Sequence, residues 1–227
     1  AVVFTMDDEW HTYWSNPGEA GIPTTFEWTL PIGYKLIDKH EPVPTRHIDE
    51  GITTFIHEKE AVYLFTVMAP ISIPDTNRFA VQVDWLECRS ICQSGMRRLH
   101  FTLSSGDAML TLDKLEVSAL AKFPHPATKG SWKARKKGGY IELLSQVPQP
   151  KTFELTQADF FPYDEMTFDP GKPVQIRTRF GKNKIHIPLW GSRNADPEVL
   201  HGILVQYYDS PDGETVINSI INQPLSK

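Results

Sequence analysis

Apolar and polar residues alternate with a period of two along much of this chain, the signature of half-buried β-strands. Thr24–Leu30 puts Phe26, Trp28 and Leu30 on one face, and Arg78–Cys88 puts Phe79, Val81, Val83 and Trp85 on one face. Arg97–Leu103 repeats the pattern with Leu99, Phe101 and Leu103 turned inward. Val2–Met6 opens the chain as a strand, and Asn16-Pro17-Gly18 reads as a turn after the aromatic-rich Trp10–Trp14. Gly51–Glu58 and Ala61–Pro70 read as two strands of a hairpin joined at Lys59-Glu60.

The period changes once. Leu112, Leu115, Leu120 and Phe123 fall at helical spacing, and Pro124-His125-Pro126 would stop a short amphipathic helix there. The basic, glycine-containing stretch Ala127–Gly139 follows as a linker or loop. Beyond it strands return at Tyr140–Val147 and Val174–Phe180. A turn at Gly181–Lys184 leads into Ile185–Trp190, and His201–Ile221 forms a hairpin around Pro211-Asp212-Gly213. The expected fold is mainly β: two immunoglobulin-like β-sandwich domains with a short connecting helix. Residues 1–125 would form the first domain, ending in that helix, and 126–227 the second.

Composition narrows the function classes. The formal net charge is −5, which gives no general pull towards nucleic acid or anionic surfaces. Arg135-Lys136-Lys137 reads as a solvated basic loop. No apolar run approaches the roughly 18–20 residues needed to span a bilayer, and no secretory leader is visible before Ala1-Val2-Val3. Phosphate-binding loops, dinucleotide fingerprints and His-Glu-x-x-His motifs are missing. His201, Asp209 and Ser210 lack the strand–turn–helix context of a hydrolase nucleophile.

Reactive chemistry concentrates at the two cysteines, Cys88 and Cys92, which directly follow a predicted strand. A disulfide closing so short a loop stabilises by about 2 kcal/mol in the chain-entropy model, against about 4.7 kcal/mol for a loop of 100 residues. The spacing makes poor use of a structural bridge and suits an exchangeable one. In exchange, one thiolate attacks and a nearby thiol resolves the mixed disulfide. Arg89, lying between the cysteines, can favour a thiolate electrostatically. Zinc would need further ligands, and the nearest histidine is His100. Copper(I), which accepts two thiolates, stays open alongside a redox pair and a structural disulfide.

The segment Trp10–Trp28, "WHTYWSNPGEAGIPTTFEW", together with Val83–Gly95, "VDWLECRSICQSG", resembles the N-terminal periplasmic domain of DsbD-like thiol:disulfide interchange proteins. Within them it is nearest the ScsB type, linked to suppression of copper sensitivity. Gln93-Ser94-Gly95 departs from the apolar residue and proline that the family often carries after the second cysteine. The resemblance covers Trp10–Leu103. It implies a periplasmic or otherwise extracytoplasmic domain, tethered to the inner membrane in the full-length protein. That domain would take electrons from a membrane domain and pass them to thioredoxin-fold disulfide proteins through Cys88 and Cys92. Cys92 attacks by the same analogy. No organic cofactor is implied. Trp10, His11, Tyr13 and Trp14 read as core aromatics or, in the functional reading, some of them wall the pair with the Asn16-Pro17-Gly18 turn, His11 also assisting proton transfer. The rival readings are an immunoglobulin-like binding or chaperone module with a structural disulfide, and a copper(I)-binding domain held by Cys88 and Cys92.

Overall fold

The computed structural model describes residues 1–104, 120, 123–150, 152–165, 167–191 and 196–226. The helix expected over residues 112–123 lies outside the described residues except at its C-terminal end. The architecture is mainly β. The chain divides into two compact units, one of Ala1–His47 with Phe55–Phe123 and one of Ile48–Thr54 with Pro124–Lys227.

The first nine strands are β1 (Val2–Thr5), β2 (His11–Gly18), β3 (Thr25–Thr29), β4 (Lys35–His40), β5 (Thr45–Asp49), β6 (Ile52–Glu58), β7 (Glu60–Met68), β8 (Thr76–Cys88) and β9 (Cys92–Ser104). They form an immunoglobulin-like sandwich. One sheet has the order β1-β7-β4, and the other runs β3-β8-β2-β6-β5 with β9 added to β8. Between them sit Val2, Val81 and Val83, packed with Phe4, Phe26, Trp28, Phe65 and Trp85. This core is what the period-two pattern of β3 and β8 encodes.

Three local expectations are corrected. β6 and β7 are not a hairpin, because β7 pairs with β1 and β4 while β6 belongs to the opposite sheet. Lys59, at φ 61°, turns the chain across the sandwich in a left-handed conformation. The Asn16-Pro17-Gly18 turn lies within β2, whose end is shaped by Asn16 Oδ1 accepting from the Gly18 N–H at 3.0 Å. Leu99, Phe101 and Leu103 do pair with core-facing positions of β8, and Phe101 stacks on Phe79. Yet all three remain 39–45% exposed, because β9 lies outermost on its sheet.

The second unit comprises β10 (His125–Pro126), β11 (Trp132–Lys137), β12 (Tyr140–Ser145), β13 (Glu154–Pro162), β14 (Gln175–Arg179), β15 (Lys182–Pro188), β16 (Val199–Ser210) and β17 (Gly213–Ser226). Their order is β13-β16-β17-β11-β12-β15-β14, with β10 also on β17. β17 pairs antiparallel with β16 over most of its length, then parallel with β11 at Leu225-Ser226. One strand thereby joins two layers around a shared core that includes Ile141, Leu143, Ile185, Leu200 and Leu204. The basic stretch expected to be a loop contains β11. Trp132 and Ala134 are buried there while Lys133 and Lys137 face water, so the charges masked a strand. The turn between β14 and β15 falls at Phe180-Gly181, one residue earlier than its Gly-Lys-Asn-Lys text suggests.

Candidate functional site

β8 and β9 pair along their whole length, from Thr76 opposite Ser104 to Cys88 opposite Cys92. The two cysteines close the hairpin with a disulfide. Arg89, Ser90 and Ile91 form the turn, held by the Arg89 N–H donating to the Ile91 carbonyl at 3.0 Å. The sulfurs have unlike surroundings. Cys88 is 2% exposed, whereas Cys92 is exposed at the tip.

Burial of Cys88 comes from β2. His11 stands opposite Cys88 and Thr12 opposite Glu87, where β2 pairs with the end of β8. Two residues on, Tyr13 shares the face of His11, and its hydroxyl lies 3.2 Å from Cys88 Sγ. Tyr13, Ile56 and Leu86 pack around that sulfur. Burial pushes the Tyr13 phenol above its ordinary value, so it keeps its proton and acts as the donor. The Tyr13 ring is seated against Gly21, where an added Cβ would stand 2.2 Å from the ring and where φ is +110°.

The other candidate residues distribute as follows. The His11 ring meets Tyr13 edge-on at 5.3 Å and lies 5.3 Å from His47, a neighbour that sequence spacing did not reveal. Trp10 lies beneath the Arg89 guanidinium at 5.4 Å, so this cation is stacked at the turn. Trp14 alternates to the other face of β2, where it is fully buried against Phe55. It belongs to the core and not to the wall of the disulfide. Glu87 accepts from Trp85 Nε1 at 3.1 Å and Gln93 Nε2 at 2.7 Å. Trp85 in turn covers Gly95, where a Cβ would come within 2.2 Å of the indole. This close cross-strand packing occupies the Gln93-Ser94-Gly95 segment, where the sequence departs from the family pattern.

Chemically, the arrangement offers one accessible sulfur and one shielded sulfur with a hydroxyl donor. Among the described residues, no group of three or more His, Cys, Asp or Glu side chains is placed to hold a metal ion.

Residues 1–104 match the family model described as the N-terminal domain of the thiol:disulfide interchange protein DsbD. Among solved structures, the chain is similar to the N-terminal periplasmic domain of ScsB from Proteus mirabilis. The TM-score is 0.61 at 17% identity, covering 97% of this chain and 86% of that one. At that identity the likeness speaks for the fold. A search of curated proteins finds no significant match.

Proposed function

We propose, for a chain whose first 104 residues match the family model of the DsbD N-terminal domain, that this domain is an extracytoplasmic electron relay. Thiol–disulfide exchange is the family's general activity. The finer reading is that electrons arrive from a membrane reductase domain and leave to a thioredoxin-fold disulfide protein. One observation carries it: Cys92 is exposed while Cys88 is buried beneath Tyr13.

In the delivering direction, the Cys92 thiolate attacks the partner's disulfide, and a partner thiolate leaves and takes a proton. Cys88 then attacks Cys92 Sγ, closing the Cys88–Cys92 bond and releasing the partner's second thiol. The partner gains two electrons and the domain loses two. Recharging reverses the steps: a donor thiolate attacks the accessible Cys92 Sγ and expels Cys88 as a thiolate. The Tyr13 hydroxyl stabilises that leaving group through a charge-assisted hydrogen bond. Arg89 lies in the turn that a partner must approach, with Trp10 beneath it, and His11 packs against Tyr13.

The test is equilibration of the chain against glutathione buffers, with Cys88→Ala used for trapping. A relay predicts a couple more oxidising than about −300 mV and a mixed disulfide at Cys92 with a thioredoxin-fold partner. An inert couple below that potential, with nothing trapped, would assign the disulfide a structural role.

A further inference from the structure

Strand alternation on the second unit turns Ile176, Ile185 and Ile187 inward and leaves a cationic outer face. β11 contributes Lys133, Arg135 and Lys137 to it. Beyond β12, on the last two strands of the sheet, Arg177 of β14 stands opposite Lys184 of β15, and Arg179 opposite Lys182. Directly opposed like charges destabilise a sheet. β11, β12, β14 and β15 contain a single carboxylate, Glu142. It is already engaged by Arg135 Nε at 2.6 Å and Lys184 Nζ at 2.7 Å. Among the described residues, no carboxylate comes within ion-pairing reach of Arg177, Arg179 or Lys182. A cleft of about 440 Å³ opens between these side chains, Lys184 and His186. A chain of net charge −5 thus concentrates uncompensated cations on one sheet face.

A second observation comes from the turn at the end of that face. Phe180 and Gly181 both have positive φ, 53° and 69°, in the two-residue link between β14 and β15. Such a link favours Asn or Gly at its first position. Phenylalanine there carries left-handed strain, and its ring is 87% exposed. Among the described residues, the ring's one aromatic or cationic partner is the Arg179 guanidinium, stacked on it at 5.0 Å. Alongside, Gln149 N–H donates to the Gly181 carbonyl at 2.7 Å, and Val147, two residues earlier, is 60% exposed.

We infer that this face docks on an anionic lipid surface. Phe180 enters the boundary between headgroups and acyl chains, and Arg177, Arg179 and Lys182 pair with lipid phosphates. An acidic protein would satisfy the cations but would leave the strained, water-exposed ring without a role. A bilayer uses both, because aromatic rings partition to the interface and each nearby cation adds electrostatic attraction. The second unit then holds the chain at a membrane surface, whatever the first unit does.

The experiment is co-sedimentation of the full chain with phosphatidylcholine vesicles, with and without phosphatidylglycerol. Binding is expected only to the anionic vesicles and should weaken as salt rises. Arg177→Gln and Lys182→Gln should each lower the partition coefficient about fivefold. Phe180→Asn should lower it about tenfold while raising the melting temperature, since Asn tolerates the left-handed turn. That opposite movement separates lost insertion from lost folding. Absence of vesicle binding, or equal binding by Phe180→Asn, overturns the inference. Retention on immobilised polyglutamate without vesicle binding also overturns it and assigns the face to an acidic protein.

Discussion

Replacing Tyr13 by Phe removes one oxygen and keeps the ring that seals Cys88, so it isolates the 3.2 Å contact to Sγ. Cys88 is 2% exposed, and water cannot readily take the place of the lost hydroxyl. A hydrogen bond to a charged acceptor contributes about 1.5–3 kcal/mol, and one between neutral groups about 0.5–1.5 kcal/mol. The difference, about 1–2 kcal/mol, is stabilisation that the Cys88 thiolate has and the disulfide lacks. About half the charge reaches the leaving sulfur in the transition state, given the Brønsted slope of exchange. Reduction by dithiothreitol should therefore slow about threefold. The midpoint potential should fall by about 30 mV where Cys88 is ionised, because the reduced form loses support. The sign of the pH dependence follows: the potential difference from wild type grows as pH rises and shrinks as pH falls. Stopped-flow fluorescence gives the rate, and glutathione equilibration across pH gives the potential. An unchanged rate and potential in a folded Tyr13→Phe chain would mean that the hydroxyl only fills space.

Gly21→Ala should reproduce the slowed exchange with an added loss of stability, about 1–3 kcal/mol by chemical denaturation, since its methyl group collides with the Tyr13 ring at a positive-φ position. Gly95→Ala should displace the Trp85 indole, seen as a shift in tryptophan emission and a similar destabilisation. Burial pushes the Glu142 carboxyl upward, but hydrogen bonds and charges from Lys184 and Arg135 outweigh it and hold the group at about 2. A depressed carboxylate stabilises the fold above its unfolded value and loses that contribution as pH falls towards 2. Glu142→Gln should abolish about 1–2 kcal/mol of pH-dependent stability between pH ~5 and pH ~2, the figure being reduced for the solvent around both cations.

Where the sequence could be read and where it could not follows from what decides each element. Phe79, Val81 and Val83 revealed β8 because one face of that strand meets a core and the other does not. β11 was hidden because its outward positions are all Lys or Arg, which weigh more heavily in a composition window than the buried Trp132 and Ala134 between them. The crossing from β6 to β7 depends on a left-handed Lys59, a conformation that carries no residue signature as Asn or Gly would. The contact from Tyr13 to Cys88 bridges 75 positions and exists only because β2 pairs with the last two residues of β8. No local spacing encodes that pairing. The same holds for His47 beside His11. Cys92 differs from Cys88 in exposure for a topological reason too: β2 lies along one edge of β8, and β9 occupies the other.

The paired length of β8 and β9 bears on what the disulfide can be for. Thirteen residues of each strand are in register up to Cys88 and Cys92, and the Arg89 N–H already holds the turn. The backbone ladder thus brings the two cysteines together before any bond forms between their sulfurs. A covalent link between cysteines only four positions apart then adds little constraint, about 2 kcal/mol at most. None of the ladder, the Trp85–Gly95 packing and the Tyr13 seat is made by the sulfur–sulfur bond, so opening it is expected to leave all three in place. A carrier of electrons needs that property, because oxidised and reduced forms must present the same surface to donor and acceptor. A staple would need the opposite, a link whose loss releases the strands it joins. Placement at the closed end of a fully zipped hairpin therefore favours exchange over reinforcement, and it does so independently of the family model that residues 1–104 match.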